Sequence, residues 1–69
     1  MKLAKRYVRE FAADKKKYLQ RVIDEYTEKG MESTVNAAKI MITEIDNIVN
    51  QCDYGYMSSF EAVKKICDA

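Results

Sequence analysis

The sequence contains no proline and only two glycines, Gly30 and Gly55, within 69 residues. Glycine is favoured just past the C-terminus of a helix because it adopts the left-handed backbone conformation without strain. The two glycines therefore divide the chain into three segments, and the apolar residues of each segment recur at helical spacing. This pattern predicts an all-α protein with three helices.

The first segment predicts a helix over about residues 3–29, which would be roughly 40 Å long. Its apolar residues fall on one broad face; they are Ala4, Val8, Phe11, Leu19, Val22, Ile23 and Tyr26, with Tyr7 and Tyr18 beside them. Tyr7, Phe11 and Tyr18 follow one edge of this face, and we expect them to pack within the chain. Lys15 lies within the face, where its aliphatic stem can cover the core while its ammonium reaches water.

The second segment has the most regular pattern and predicts a helix over about residues 32–53. Six apolar residues are spaced like a heptad seam; they are Val35, Ala38, Ile42, Ile45, Val49 and Cys52. Ser33 or Thr34 could cap the start of this helix.

The third segment predicts a short helix over about residues 59–68. Ser58 and Glu61 have the spacing of a capping box, in which each side chain satisfies a backbone N–H of the first helical turn. Its predicted apolar stripe consists of Phe60, Val63, Ile66 and Cys67. A helix this short is not stable alone, so it must pack against the rest of the chain.

The short connection at Gly30 predicts an antiparallel hairpin of the two long helices, with the third helix folded back across Gly55. Residues 1–69 then form a single small domain. The third helix is much shorter than the first and cannot cover the whole hairpin. We therefore expect the apolar surface of the two long helices, including Ala38, to stay open toward the Gly30 end. A second copy of the chain could cover it and form a homodimer.

The candidate interface for this homo-oligomer comprises Leu19, Val22, Ile23, Tyr26, Met31, Val35, Tyr54, Tyr56 and Met57. Two interpretations stay open for the loop that contains Tyr54, Tyr56 and Met57. These bulky side chains either cover the end of the helix pair or form an exposed contact patch.

Charge is distributed unevenly along the chain. Residues 1–21 contain eight basic and two acidic residues, a net charge of +6, and residues 22–69 contain four basic and nine acidic residues, a net charge of −5. A candidate partner face, predicted on the side of the first helix opposite its apolar face, comprises Lys2, Lys5, Arg6, Arg9, Lys16 and Lys17. It could bind nucleic-acid phosphates, bind an anionic membrane surface or other acidic partner, or only be solvated. The hairpin places Asp46 and Asp53 near the basic start of the first helix, which explains part of the asymmetry without a partner.

The residue types argue against catalysis. The chain has no histidine and two cysteines, Cys52 and Cys67, whose separation fits neither a zinc site nor a redox motif. The spacing of Gly55, Met57 and Glu61 matches an EF-hand loop, but the earlier positions lack the carboxylates that calcium requires. We therefore expect no enzyme activity, no metal site and no cofactor.

The cysteines also bear on the cellular location. We expect both thiols to be buried and reduced, which favours a cytoplasmic protein. No segment is apolar for long enough to cross a membrane.

These observations leave two functional hypotheses. The first is a small non-enzymatic helical module that binds proteins and self-associates. The alternative is a nucleic-acid-associated accessory protein that binds the phosphate backbone through the basic face of the first helix.

Overall fold

A computed structural model describes residues 5–68. It contains three helices: α1 (Lys5–Glu28), α2 (Glu32–Asp53) and α3 (Ser59–Asp68). The predicted all-α class and the positions of the three helices are confirmed. The first helix ends one residue earlier than predicted, and positions 3 and 4 of its predicted range lie outside the described residues.

Both glycines terminate helices in the way that the sequence predicts. Gly30 has a φ of +72° and Gly55 a φ of +84°. After α1, the backbone N–H of Gly30 donates to the carbonyl of Thr27 at 3.1 Å, and that of Met31 donates to the carbonyl of Tyr26 at 3.0 Å. This pair of bonds is the Schellman motif, which satisfies carbonyls left open at a helix end.

The end of α2 repeats the same hydrogen bonds. Gly55 donates to the carbonyl of Cys52 at 3.1 Å, and Tyr56 donates to the carbonyl of Gln51 at 2.9 Å. Two left-handed glycines therefore reverse the chain twice.

The helix starts differ from each other. The Ser58 hydroxyl accepts a bond from the backbone N–H of Glu61 at 3.1 Å, so Ser58 caps α3 as predicted. The prediction that Ser33 or Thr34 caps α2 is wrong, because α2 already begins at Glu32 and its N-cap, Met31, makes no side-chain capping bond. The tight turn at Gly30 returns the chain to helix at once, and this places Ser33 and Thr34 inside the first turn.

α1 and α2 pack as an antiparallel hairpin, and α3 packs against both. The buried apolar core comprises Val8, Ala12, Leu19, Val35, Ala38, Ile45, Cys52, Met57, Ala62 and Ile66. The heptad seam of α2 is thereby confirmed, since four of its six residues are buried and Ile42 and Val49 pack half-buried against the core. Lys15, within the apolar face of α1, is half-buried as expected.

α3 covers only part of the hairpin. The molecule is 44 Å long, whereas the 10 residues of α3 span about 15 Å. The Sγ atom of Cys52 lies 3.7 Å from the Oγ atom of Ser59, so α3 starts beside the end of α2. The half of the hairpin nearest Gly30 therefore consists of two helices alone.

The predicted apolar stripe of α3 is wrong at two of its four positions. Phe60 is 77% exposed, and Cys67 is also exposed. The buried residues of α3 are Ala62 and Ile66, each 0% exposed. Ala62 and Ile66 therefore face the hairpin, whereas Phe60 and Cys67 face solvent.

Candidate interaction surface

The predicted basic face of α1 divides into two parts. Three of its side chains extend to the end of α2. The Nζ atom of Lys5 donates to the carbonyl of Asp53 at 3.3 Å, and Arg9 forms an ion pair with the carboxylate of Asp53 at 3.1 Å. Lys16 forms an ion pair with Asp46 at 2.7 Å. The expected proximity of Asp46 and Asp53 to the basic start of α1 is confirmed.

The prediction that Lys5, Arg9 and Lys16 lie opposite the apolar face is wrong. At about 100° per residue these three positions share one narrow stripe at the edge of the core, beside Ala12. Arg6 and Lys17 lie further round α1 and are exposed, and Lys2 lies outside the described residues.

The two ion pairs have equal spacing on both helices, because Arg9 and Lys16 are seven positions apart and so are Asp46 and Asp53. They therefore join antiparallel helices at points two turns apart. Arg9 keeps 60% of its side chain exposed and Asp46 keeps 52%. Each pair contributes only about 0.2–1 kcal/mol at such exposure.

The residues of the predicted interface do not share one surface. Leu19, Val35 and Met57 are 4%, 8% and 9% exposed, so they belong to the core of the single chain. The half-buried members are Val22, Ile23 and Tyr26, and the exposed members are Met31, Tyr54 and Tyr56. The residues of the loop differ in their exposure. Met57 is buried, whereas Tyr54 and Tyr56 are 77% and 83% exposed, with ring centroids 6.4 Å apart.

The aromatic residues are the clearest surface feature. The chain has five tyrosines, two phenylalanines and no tryptophan, and all seven aromatics lie within the described residues. None of them is buried; Tyr26 is half-buried, and the exposed ones are Tyr7, Phe11, Tyr18, Tyr54, Tyr56 and Phe60. The core is built instead from aliphatic, methionine, alanine and cysteine side chains.

Three of these aromatics contradict the expected packing of α1. Tyr7, Phe11 and Tyr18 are 47%, 39% and 56% exposed. α2 and α3 occupy the side of α1 that carries Val8 and Ala12, and the three aromatics lie roughly 100° further round the helix.

Two groups of exposed aromatics result. The first, which we name the aromatic stripe, consists of Tyr7, Phe11, Tyr18 and the half-buried Val22 along α1. The second, named the end cluster, consists of Tyr54, Tyr56 and Phe60 around the second turn. An open groove of about 320 Å³ lies along the stripe and is lined by Tyr18, Arg21, Val22, Glu25 and Tyr26.

A second groove, of about 450 Å³, lies at the Gly30 end of the hairpin. It is lined by Thr27, Gly30, Glu32, Val35, Asn36 and Lys39. Glu32 and Lys39 are its ionisable groups, and both are exposed to solvent. Nothing in this lining forms a nucleophile with an adjacent base, so the groove offers no arrangement for acid–base or nucleophilic chemistry.

Carboxylates and two thiols are the metal-ligating side chains of this chain, which contains no histidine. In the described part of the chain, histidine, cysteine and carboxylate side chains form no group of three or more that could hold a metal ion. Cys52 and Cys67 are both free thiols. Cys52 is buried as expected, but the prediction that Cys67 is buried is wrong, because it faces solvent beside Ile66 on the outer side of α3.

Two cations lie over aromatic rings of α1. The guanidinium of Arg6 lies 5.1 Å from the ring centroid of Tyr7, and the ammonium of Lys29 lies 4.9 Å from that of Tyr26. Lys29 also forms an ion pair with Glu25 at 3.2 Å. Charged groups therefore border the aromatic stripe.

None of the helices between residues 5 and 68 is long and apolar enough to span a membrane. Comparisons of the chain with protein-family models, with curated proteins and with solved structures found no match.

Proposed function

We propose that this chain is a non-enzymatic helical interaction module that self-associates as a homodimer through the aromatic surface of α1. The observation that carries the proposal is the exposure of all seven aromatic side chains to at least an intermediate degree. A small domain gains most from burying such side chains in its own core, because each can bury about 150–250 Å². Aromatic residues are also enriched in protein interfaces.

The arrangement of the aromatics supports association through α1. Tyr7, Phe11 and Tyr18 lie on a helix whose inner face is already held by α2 and α3. Their side chains project from a rigid element, so little conformational entropy is lost when a partner binds. An exposed free thiol such as that of Cys67 persists in a reducing compartment, which supports a cytoplasmic location as part of this proposal.

Sedimentation equilibrium between about 1 and 500 µM tests the proposal, a range that covers weak dimers. We expect the mass to rise from 8.0 kDa toward twice that value. A variant with Tyr7→Gln, Phe11→Gln and Tyr18→Gln should stay at 8.0 kDa while its helical circular dichroism is unchanged.

The matched control is Ile40→Gln, which removes an aliphatic side chain that is 60% exposed on the outer face of α2. It should associate like the unmodified chain. A mass of 8.0 kDa for the unmodified chain at the highest concentration would contradict the proposal.

The alternative of nucleic-acid binding has weaker support. Lys5, Arg9 and Lys16 already contact α2, so a phosphate backbone would have to compete with Asp46 and Asp53 for them. In a gel-shift assay at low salt we expect no complex with single- or double-stranded oligonucleotides. A salt-dependent shift that is lost in the Arg6→Gln, Lys17→Gln variant would favour the alternative.

A further inference from the structure

We infer that the second copy binds across the aromatic stripe with its α1 antiparallel to the first, about a twofold axis that passes between Asp14 and Lys15. This inference rests on the proposed self-association and specifies its geometry. It follows from two independent patterns on α1, one apolar and one charged.

The apolar pattern is symmetric along the helix. Tyr7, Phe11, Tyr18 and Val22 are separated by four, seven and four positions, so the spacing is the same in both directions. All four positions lie within about 60° of arc at 100° per residue. A twofold contact pairs residue i with j and also j with i, which requires this kind of symmetry. The antiparallel arrangement places Tyr7 against Val22 of the second copy and Phe11 against its Tyr18.

The charged pattern lies on one flank of the stripe. Eight exposed charged residues of α1 lie on this flank at about 100° per residue; they are Arg6, Glu10, Asp14, Lys17, Arg21, Asp24, Glu25 and Glu28. Six of them, all except Asp24 and Glu28, have the signs +, −, −, +, +, − along the chain, and the same series taken backwards has the opposite sign at every position. An antiparallel twofold pair brings this flank against itself, so each of these six charges faces one of opposite sign, and Asp24 and Glu28 fall outside the pairs.

The individual pairs follow from this arrangement. Glu10 faces Arg21 of the second copy, Asp14 faces its Lys17, and Arg6 faces its Glu25. In the register that pairs the apolar residues, the two members of each charged pair are offset by two residues, or about 3 Å, along the helix axis. Long charged side chains can span this offset. In a parallel pair this flank would face the opposite flank of the partner helix. The sign pattern would then not bring opposite charges of this flank together.

Charge exchange at Glu10 and Arg21 tests the geometry, because both residues are exposed and neither contributes to the core. Glu10→Arg places two arginines opposite each other at both symmetric contacts, and Arg21→Glu does the same with two glutamates. Each single variant should associate at least about tenfold more weakly than the unmodified chain, since two attractive contacts become repulsive.

An equimolar mixture of the two single variants provides the decisive measurement. Their heterodimer again pairs opposite charges at both contacts, so the mixture should form a 1:1 complex with an affinity within about threefold of the unmodified dimer. The double variant Glu10→Arg, Arg21→Glu should also self-associate. The control is Lys39→Glu, an equal charge change on the exposed face of α2, which should leave association unchanged.

The outcomes separate this inference from the proposed function. If the unmodified chain dimerises but both single variants dimerise equally well, or the mixture fails to recover association, the antiparallel α1 geometry is refuted while self-association stands. If the unmodified chain is monomeric throughout, both fail. Helical circular dichroism of each variant should match that of the unmodified chain.

Discussion

Ile66 and Phe60 offer the sharpest test of how α3 packs on the hairpin. Both are large apolar residues of the same short helix, but Ile66 is 0% exposed and Phe60 is 77% exposed. We therefore expect Ile66→Ala to destabilise the fold strongly and Phe60→Ala to leave it nearly unchanged. The comparison is matched, because each variant truncates one apolar side chain of α3 to alanine.

The magnitudes follow from the burial. Truncation of a fully buried isoleucine to alanine costs about 2–5 kcal/mol, from lost apolar burial and from the cavity left behind. Full burial of a phenylalanine contributes about 1.5–3 kcal/mol, so Phe60 at 77% exposure contributes roughly 0.3–0.7 kcal/mol. Alanine offsets a few tenths of a kcal/mol through its higher helix propensity, so the net cost of Phe60→Ala is about 0.5 kcal/mol or less.

The consequence for Ile66→Ala is large because the domain is small. A chain of 69 residues has a total stability of about 3–10 kcal/mol, so the variant removes roughly a fifth of it or more. The corresponding fall in Tm is about 8–40 °C. Phe60→Ala should shift Tm by no more than about 3 °C, because a change of about 0.5 kcal/mol in the free energy of unfolding shifts Tm by only a few degrees.

Urea and thermal unfolding followed by circular dichroism at low micromolar concentration measure these values. Low concentration keeps self-association from adding to the apparent stability. If Phe60→Ala cost as much as Ile66→Ala, the face of α3 that carries Phe60 would be buried. The assignment of Ala62 and Ile66 to the core side of α3 would then be refuted.

Three further predictions concern single residues elsewhere. Asp53→Asn should destabilise the fold by about 0.2–1 kcal/mol by weakening its contact with Arg9, and the loss should disappear near 1 M salt in urea unfolding. Gly30→Ala should cost about 1–2 kcal/mol in the same assay from backbone strain at a φ of +72°, since an added Cβ would meet no atom within 4 Å. In the folded protein a maleimide reagent should label Cys67 alone, with Cys52 reacting only in denaturant, and mass spectrometry after proteolysis locates the label. Equal labelling of both thiols under native conditions would contradict the burial of Cys52.

The hairpin could be predicted because its signals are local and agree with one another. Gly30 and Gly55 are the only residues in the chain that adopt left-handed backbone conformation easily, and each falls where the apolar periodicity stops. The heptad seam of α2 then determines which face turns inward. The start of α2 could not be located in the same way, because serine and threonine favour N-caps, whereas the Schellman turn at Gly30 is followed at once by Met31 as the N-cap of α2.

The two errors on α1 have one physical cause. The predicted apolar face of α1 includes the exposed aromatics Tyr7, Phe11 and Tyr18. This inclusion moves the predicted centre of the face round the helix, so that Lys5, Arg9 and Lys16 fall on the opposite side. Hydrophobicity alone cannot distinguish an aromatic residue that packs in the core from one that stays on the surface.

The face of α3 could not be decided from the sequence because two stripes fit helical spacing. One contains the large residues Phe60 and Val63, and the other contains Ala62 and Ile66. Hydrophobicity favours the first. Close packing of a short helix against two others favours the second, because a small residue at the contact brings the backbones together. The orientation is set by the turn at Gly55 and the burial of Met57, and neither is visible in the periodicity of α3 itself.

In the proposed dimer, folding and association use different faces of α1. Val8, Ala12 and Leu19 hold the inner face against α2 and α3, and their burial does not depend on any second chain. The aromatic stripe lies on the outer face and is therefore displayed by a helix that is already fixed. Binding through it requires no refolding, so substitutions in the stripe should change association without changing stability. For the same reason the charges beside the stripe can set the direction of a partner helix while contributing almost nothing to the fold of the single chain.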